Sequence, residues 1–331
     1  MHFFISILTN ILYKNYTYYK ENKRGFMVML EKLTLSNMDS FKEMYKKNFQ
    51  KVSYNKDFFR CYDNQNFLIK FLYRKFIRLI KINGNYIGYI WYEGTEGKYI
   101  KVWALYIDIN YRDLIDNFTL SYFDNKILSY EAMDTIENSI ILTKMRFVKE
   151  NYTLLLNMDI TKYYNNEFII NKFNNEKDIL KHKLKINDNI SFSIRKLEIG
   201  KDERLRCEIQ NNIFSQGNRR PLTVDDIYAD MTQDYFLKDL CFFGMINNEY
   251  IGYGQIIFNR NMYTIVNFGI VKKYRGMGLS KILLNGIINE AINYGIEKLY
   301  IRVDSDNLKA INLYRWIGFK DINRVIIWER K

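Results

Sequence analysis

Ile82-Asn83-Gly84-Asn85-Tyr86-Ile87-Gly88-Tyr89 returns 164 residues later as Ile246-Asn247-Asn248-Glu249-Tyr250-Ile251-Gly252-Tyr253. In each copy an Asn followed by Gly or Asn, residues that tolerate positive φ, separates two apolar runs, which predicts a β-hairpin. Two further segments keep the same shift. Residues 30–35 (LEKLTL) match 194–199 (IRKLEI), and Tyr99 and Val102 match Tyr263 and Val266. Three segments in one register without a gap read as a duplicated domain. The boundary is expected near residue 190, after the polar stretch 171–189. This gives a first domain over 27–190 and a second over 191–331.

Working outward from the hairpin, each copy runs in the same order. A short strand (30–35 or 194–197) precedes a helical region, the hairpin follows, and then comes a strand over Tyr99–Ile107 or 263–271. In the second copy Ile282, Leu283, Gly286, Ile287 and Ala291 make an apolar or small stripe at helical spacing, predicting a helix over 278–294. Residues 298–303 read as a strand, 307–316 as a helix stopped by Gly318, and 325–328 as a closing strand. Strands interleaved with helices imply an α/β or α+β sandwich.

Composition narrows the chemistry. The chain has 331 residues, enough for about two domains. Its two His exclude a His-based metal centre or a Ser/His/Asp triad, and its three scattered Cys (Cys61, Cys207, Cys241) exclude a disulfide framework. No metal site is expected, and the cysteine usage suits the cytoplasm. The net charge of +13 is spread along the chain with no run of five like charges, so nucleic acid is not the expected partner. The apolar run at 2–12 is shorter than the roughly 20 residues of a membrane span, so no membrane partner is expected. Residues 1–26 are read as a possible non-native extension, with Met27 or Met29 as the start.

The strand over 263–271 leads into Lys272-Lys273-Tyr274-Arg275-Gly276-Met277-Gly278-Leu279-Ser280 and then a helix. Glycines without Cβ let backbone N–H groups approach an anion, and the helix N-terminus and nearby cations add positive charge, so the loop reads as a phosphate cradle. Downstream, Asn307 and Tyr314 are two helical turns apart and share a face, with Ala310 between them leaving room for a ligand. A half-buried aromatic in an amphipathic helix is the ordinary alternative for Tyr314.

This pairing resembles the GNAT superfamily of N-acetyltransferases. The family's R/Q-x-x-G-x-G/A loop matches Arg275, Gly278 and Ser280, the last a small departure. Its N-x-x-A-x-x-L-Y-x-x-x-G-F segment matches Asn307, Ala310, Leu313, Tyr314, Gly318 and Phe319. The resemblance covers about 191–331 and implies two tandem GNAT-like domains, each a central mixed, mostly antiparallel sheet flanked by helices, an arrangement similar to mycothiol synthase-like acetyltransferases. It implies acetyl-CoA as acyl donor and a small-molecule or peptide amine as acceptor. The pyrophosphate would lie on the N–H groups of Arg275, Gly276, Met277, Gly278, Leu279 and Ser280. The pantetheine would pair with the strand edge at Phe268, Ile270 and Val271 and hydrogen-bond Asn307. The N–H near Ile270 would hold the oxyanion, and Tyr314 would be the general acid. The motif supplies no general base; Asp304 is one candidate, a water chain another, and Asp306 reads as a helix cap. A non-catalytic acyl-CoA-binding module is the alternative reading.

The shift of 164 maps 275–280 onto Tyr111-Arg112-Asp113-Leu114-Ile115-Asp116. Both glycines are gone and carboxylates stand where phosphates would bind, so the first copy is expected to be degenerate. In the second copy Thr223 and Asp226 read as a helix cap. Arg219 and Arg220 read as surface charge or an acidic-group contact, and Tyr228, Tyr235 and Phe236 as core or pocket.

Overall fold

A computed structural model of the chain describes residues 18–21, 27–52, 57–94, 97–163, 191–215 and 220–331. The expected connection at 171–189, most of the 1–26 extension and Arg219 lie outside these residues. Two compact units emerge: residues 1–151 with 325–331, and residues 152–324.

The first unit contains strands β1 (Tyr18–Glu21), β2 (Met27–Lys32), β3 (Ile77–Ile82), β4 (Asn85–Glu93), β5 (Tyr99–Ile107) and β6 (Ile127–Met133), and helices α1 (Met38–Val52), α2 (Phe58–Tyr62), α3 (Phe67–Lys75) and α4 (Ile136–Lys144). Its sheet runs in the order β1-β2-β3-β4-β5-β6 and is antiparallel except for β5–β6. Side-chain caps start the helices: Asp57, Asn66 and Thr135 each accept first-turn N–H groups. An aromatic core of Phe41, Tyr45, Phe58, Tyr89 and Trp91 lies between sheet and helices.

The second unit repeats the plan. It contains β8 (Phe192–Lys196), α5 (Glu203–Phe214), α6 (Val224–Met231), β9 (Phe236–Ile246), β10 (Glu249–Asn259), β11 (Met262–Ile270), α7 (Leu279–Asn293), β12 (Lys298–Asp304) and α8 (Leu308–Ile317). Sheet order is β8-β9-β10-β11-β12, with β11–β12 the parallel pair. The hairpin turns fall at Asn83-Gly84 and Asn247-Asn248, all with positive φ. The stripe Ile282, Leu283, Ile287 and Ala291 is fully buried, and Thr223 with Asp226 forms a capping box on α6.

The last strands depart from the repeat boundary. β7 (Val148–Asp159), the closing strand of the first copy, pairs through 153–159 with β12. β13 (Lys320–Arg330), the closing strand of the second copy, pairs through 325–330 with β6. Each sheet is thus completed by the other copy's final strand.

In both units the parallel pair is short and then diverges. β11 pairs with β12 only at Tyr263, Thr264 and Ile265, and β5 with β6 only from Tyr99 to Val102. A bulge bends the middle strand at the same repeat position. Asn267 and Phe268 face the single Gly254, and Trp103 is the extra residue between Ala104 and Val102. Asn267 adopts φ 52° there. The glycine that both hairpins share makes the bend possible. A Cβ on Gly252 would lie 2.5 Å from the Gly269 carbonyl oxygen, and one on Gly88 would meet the Tyr106 carbonyl oxygen.

Candidate active site

The gap between β11 and β12 collects the residues that the sequence singled out. The Val271 N–H donates to the Ile251 carbonyl at 2.9 Å. Antiparallel alternation then turns the N–H and carbonyl of Ile270 away from β10 and toward the gap. Val271 itself is committed: its N–H faces β10 and its side chain packs with Ile213 and Tyr253 beneath α5, so it offers no edge to a ligand.

At the head of the gap, Gly276 and Gly278 adopt φ of 78° and 84°, a left-handed backbone that glycine enters without strain. Gly278 is the N-cap of α7 and has no side chain to satisfy the first turn. The N–H groups of Gly276, Met277, Gly278, Leu279 and Ser280 make no hydrogen bond within the described residues. Buried Leu279 and part-buried Met277 pin the loop to the core, leaving those N–H groups at the helix N-terminus to face an anion.

Arg275 does different work from the phosphate contact expected of it. Its N–H donates to the Lys272 carbonyl at 3.3 Å. Its guanidinium donates to the Ile270 carbonyl at 3.1 Å and to the Ile213 carbonyl, so it fastens the loop to the ends of β11 and α5. Lys273 is likewise engaged by Glu249 at 2.8 Å. The cradle therefore depends on backbone N–H groups and the helix end more than on these side-chain cations. Asn212, which the sequence did not mark, accepts the Lys272 N–H at 2.9 Å and helps hold the same turn.

α8 forms the other wall. Asn307 caps it, its Oδ1 accepting the Ala310 N–H at 3.2 Å. Its amide nitrogen keeps a donor with no partner among the described residues. The cap is Asn307 and not Asp306, because only Asn307 reaches the first-turn N–H. Tyr314 is 7% exposed, and its ring lies 6.3 Å from Phe268 on β11 and 6.2 Å from Phe319. Burial pushes its phenol well above the usual tyrosine value, and no hydrogen bond within the described residues engages its hydroxyl. Asp304 is exposed, and its carbonyl accepts the Asn307 N–H at 3.1 Å. At and around α6 Arg220 pairs with Asp226 at 2.9 Å, Tyr228 is half exposed, and Tyr235 donates to Asp230 at 2.7 Å.

Residues 208–319 match the family model described as Acetyltransferase (GNAT) family. The stretch that is similar to this family lies within the second unit and takes in the glycine loop and α8. Over 84 residues the chain is 29% identical to "Thialysine N-epsilon-acetyltransferase" of Mus musculus, covering 24% of this chain and 49% of that one, so the match spans about half of the relative's length. Two solved structures share the fold over nearly whole chains. The GCN5-related N-acetyltransferase from Sphaerobacter thermophilus aligns at TM-score 0.60 and 11% identity, covering 94% of this chain and 96% of that one. An acetyltransferase from the GNAT family from Colwellia psychrerythraea aligns at TM-score 0.56 and 12% identity, covering 92% and 99%. Within the matched stretch the loop 275–280 and the Asn307–Tyr314 segment border one gap. Among the described residues no helix is long and apolar enough to cross a membrane.

The first unit keeps the corresponding gap as a cavity of about 130 Å³, lined among others by Leu105, Tyr106, Asp108, Glu137 and Leu142. Burial, then the Asp108 and Glu137 carboxylates, push the Tyr106 phenol up to about 12. Residues 108–126 carry only short turns in place of α7 and its glycine loop.

Proposed function

We propose that the second unit is an N-acetyltransferase that moves an acetyl group from acetyl-CoA to the primary amine of a small molecule or peptide, and that the first unit is a degenerate copy without donor binding. The reading rests on the gap between β11 and β12, with free N–H groups at its head and Tyr314 on its wall. The diphosphate of the donor would sit on the N–H groups of Gly276, Met277, Gly278, Leu279 and Ser280. Its pantetheine amides would pair with the turned-out backbone at Phe268 and with the Asn307 amide, as an added strand, leaving the Ile270 N–H to the thioester oxygen.

The acceptor nitrogen attacks the thioester carbon, forming the C–N bond, and the developing oxyanion accepts the Ile270 N–H. Collapse breaks the C–S bond, and the Tyr314 hydroxyl donates to the departing sulfur. The new ammonium loses its proton to water and the Tyr314 phenolate takes one back from water, giving an amide, free CoA thiol and the restored phenol. Because burial raises the Tyr314 phenol, the donor stays protonated throughout the neutral range and beyond the usual tyrosine value of about 10. Calorimetric binding of acetyl-CoA together with thiol release across an amine panel tests the reading. Binding without thiol release from any amine would leave an acyl-CoA-binding module, and absence of binding would sink both.

A further inference from the structure

Beneath α5 and α6, on the face of the sheet opposite α7, lies a polar cluster in the interior. Arg206 is 1% exposed, Gln210 is 2%, and Gln255 and Tyr253 are fully buried. Arg206 and Gln210 are four apart on α5, so both point at the sheet from one helix face. The Arg206 guanidinium meets Asp230 through Nη2 and stacks over Phe236 and Tyr253, at 5.7 and 5.5 Å. Tyr253 donates to Gln255 Oε1 at 2.8 Å, and Tyr235 donates to Asp230.

Every acceptor named in this cluster is taken, yet four nitrogen donors are not. Arg206 Nε and Nη1, Gln210 Nε2 and Gln255 Nε2 are all buried without a partner. The cation–π contacts with the two rings do not satisfy the N–H groups on Nε and Nη1. Buried donors of this kind are ordinarily hydrogen-bonded, and leaving one unmade costs about 1–3 kcal/mol. The excess is entirely of donors, so what completes the cluster must bring acceptor oxygens. A single carbonyl offers two lone pairs, whereas a carboxylate offers about four and accepts from as many donors.

The register puts this cluster beside the reaction centre. Tyr253 pairs with Gly269 and Gln255 with Val266, so the cluster is one strand, about 5 Å, from the β11 edge. Gly269 lacks a side chain on that face, where a Cβ would run into Ile213 of α5.

We propose that Arg206, Gln210 and Gln255 read a carboxylate on the acceptor, so that the substrate class is an amino acid whose amine is presented to the thioester beside Ile270. This deepens the N-acetyltransferase reading and rests on it. The test compares thiol release from acetyl-CoA for the standard α-amino acids and for the matching decarboxylated amines. The inference expects turnover of at least one amino acid with its decarboxylated partner about 10-fold or more poorer in kcat/KM. Gln255→Leu and Gln210→Leu, near-isosteric and away from the donor gap, are expected to raise KM for the amino acid about 10-fold. The decarboxylated amine and acetyl-CoA affinity would be unaffected. Equal use of both acceptor sets, a preference for the decarboxylated amines, or variants that shift only the melting temperature would overturn it, the last meaning that water completes the cluster. Loss of acetyl-CoA binding in the unaltered protein would instead defeat the transferase reading.

Discussion

Between β11 and β12 the second unit inserts Gly276-Met277-Gly278 and the long helix α7. Between β5 and β6 the first unit inserts turns that carry Asp113 and Asp116. Around these insertions the two units agree in the hairpin, the bulge, the crowding glycine and the diverging parallel strands. The gap is therefore a property of the sheet, written in Gly88 and Gly252 and in the bulges at Trp103 and Asn267. The anion binding proposed for the second unit would be a property of the insertion alone. On this reading a copy could lose the second and keep the first, and the first unit does have a cavity whose walls include Asp108 and Glu137.

The widest difference between the units should respond to Gly278→Asp. The change forces a side chain into positive φ and sets a carboxylate against the donor phosphates. Calorimetry is expected to show acetyl-CoA affinity down by about 100-fold or more. An unchanged affinity would mean that the units do not differ in the way proposed. Next comes Tyr314→Phe, whose counterpart on α4 is Leu142. Removing the hydroxyl is expected to lower kcat about 100-fold with acetyl-CoA affinity within about 3-fold. A matching loss of binding would make the tyrosine a packing residue.

The shared features call for matched responses. Gly88→Ala and Gly252→Ala each drive a Cβ into the facing carbonyl and should each cost about 2 kcal/mol by chemical denaturation. A cost in only one unit would break the equivalence of the bends. Tyr89 and Tyr253 occupy the same repeat position, and burial raises both phenols well above the usual value. A raised folded-state value means that their contribution is complete below the unfolded value near 10 and falls as pH rises above it. Stability is expected to be level from pH 7 to 9 and to drop by about 1.4 kcal/mol per pH unit per tyrosine above 10. The smallest effect separates the pair by sign. The Tyr89 hydroxyl is buried without a partner, whereas that of Tyr253 bonds Gln255. Tyr89→Phe should be neutral or stabilising by up to about 1 kcal/mol, and Tyr253→Phe destabilising by about the same.

Much of this was legible in the residues because the signals are local. Asn-Gly and Asn-Asn turns, the stripe of α7 and the stop at Gly318 each depend on a few neighbouring positions. The polar cluster left a weaker mark: Arg206 and Gln210 interrupt the apolar face set by Ile209 and Ile213. What stayed hidden is decided at long range. Nothing in the pattern of β7 or β13 says which strand each will join, since the apolar runs Leu154-Leu155-Leu156 and Val325-Ile326-Ile327 would suit either sheet. Arg275 looks like a phosphate ligand in any linear reading, and only the folded chain brings the Ile213 carbonyl within its reach.

The exchange of final strands has a temporal side. Residues 128–133 must wait for 325–330 to be synthesised before their sheet is complete, and contacts so distant in sequence close slowly. Until then β6 presents an open edge on the growing chain, and β7 has no partner until residues 298–304 appear. The first unit is therefore complete only once residues 325–330 have been made, and a break at the repeat boundary would divide two sheets instead of separating two domains.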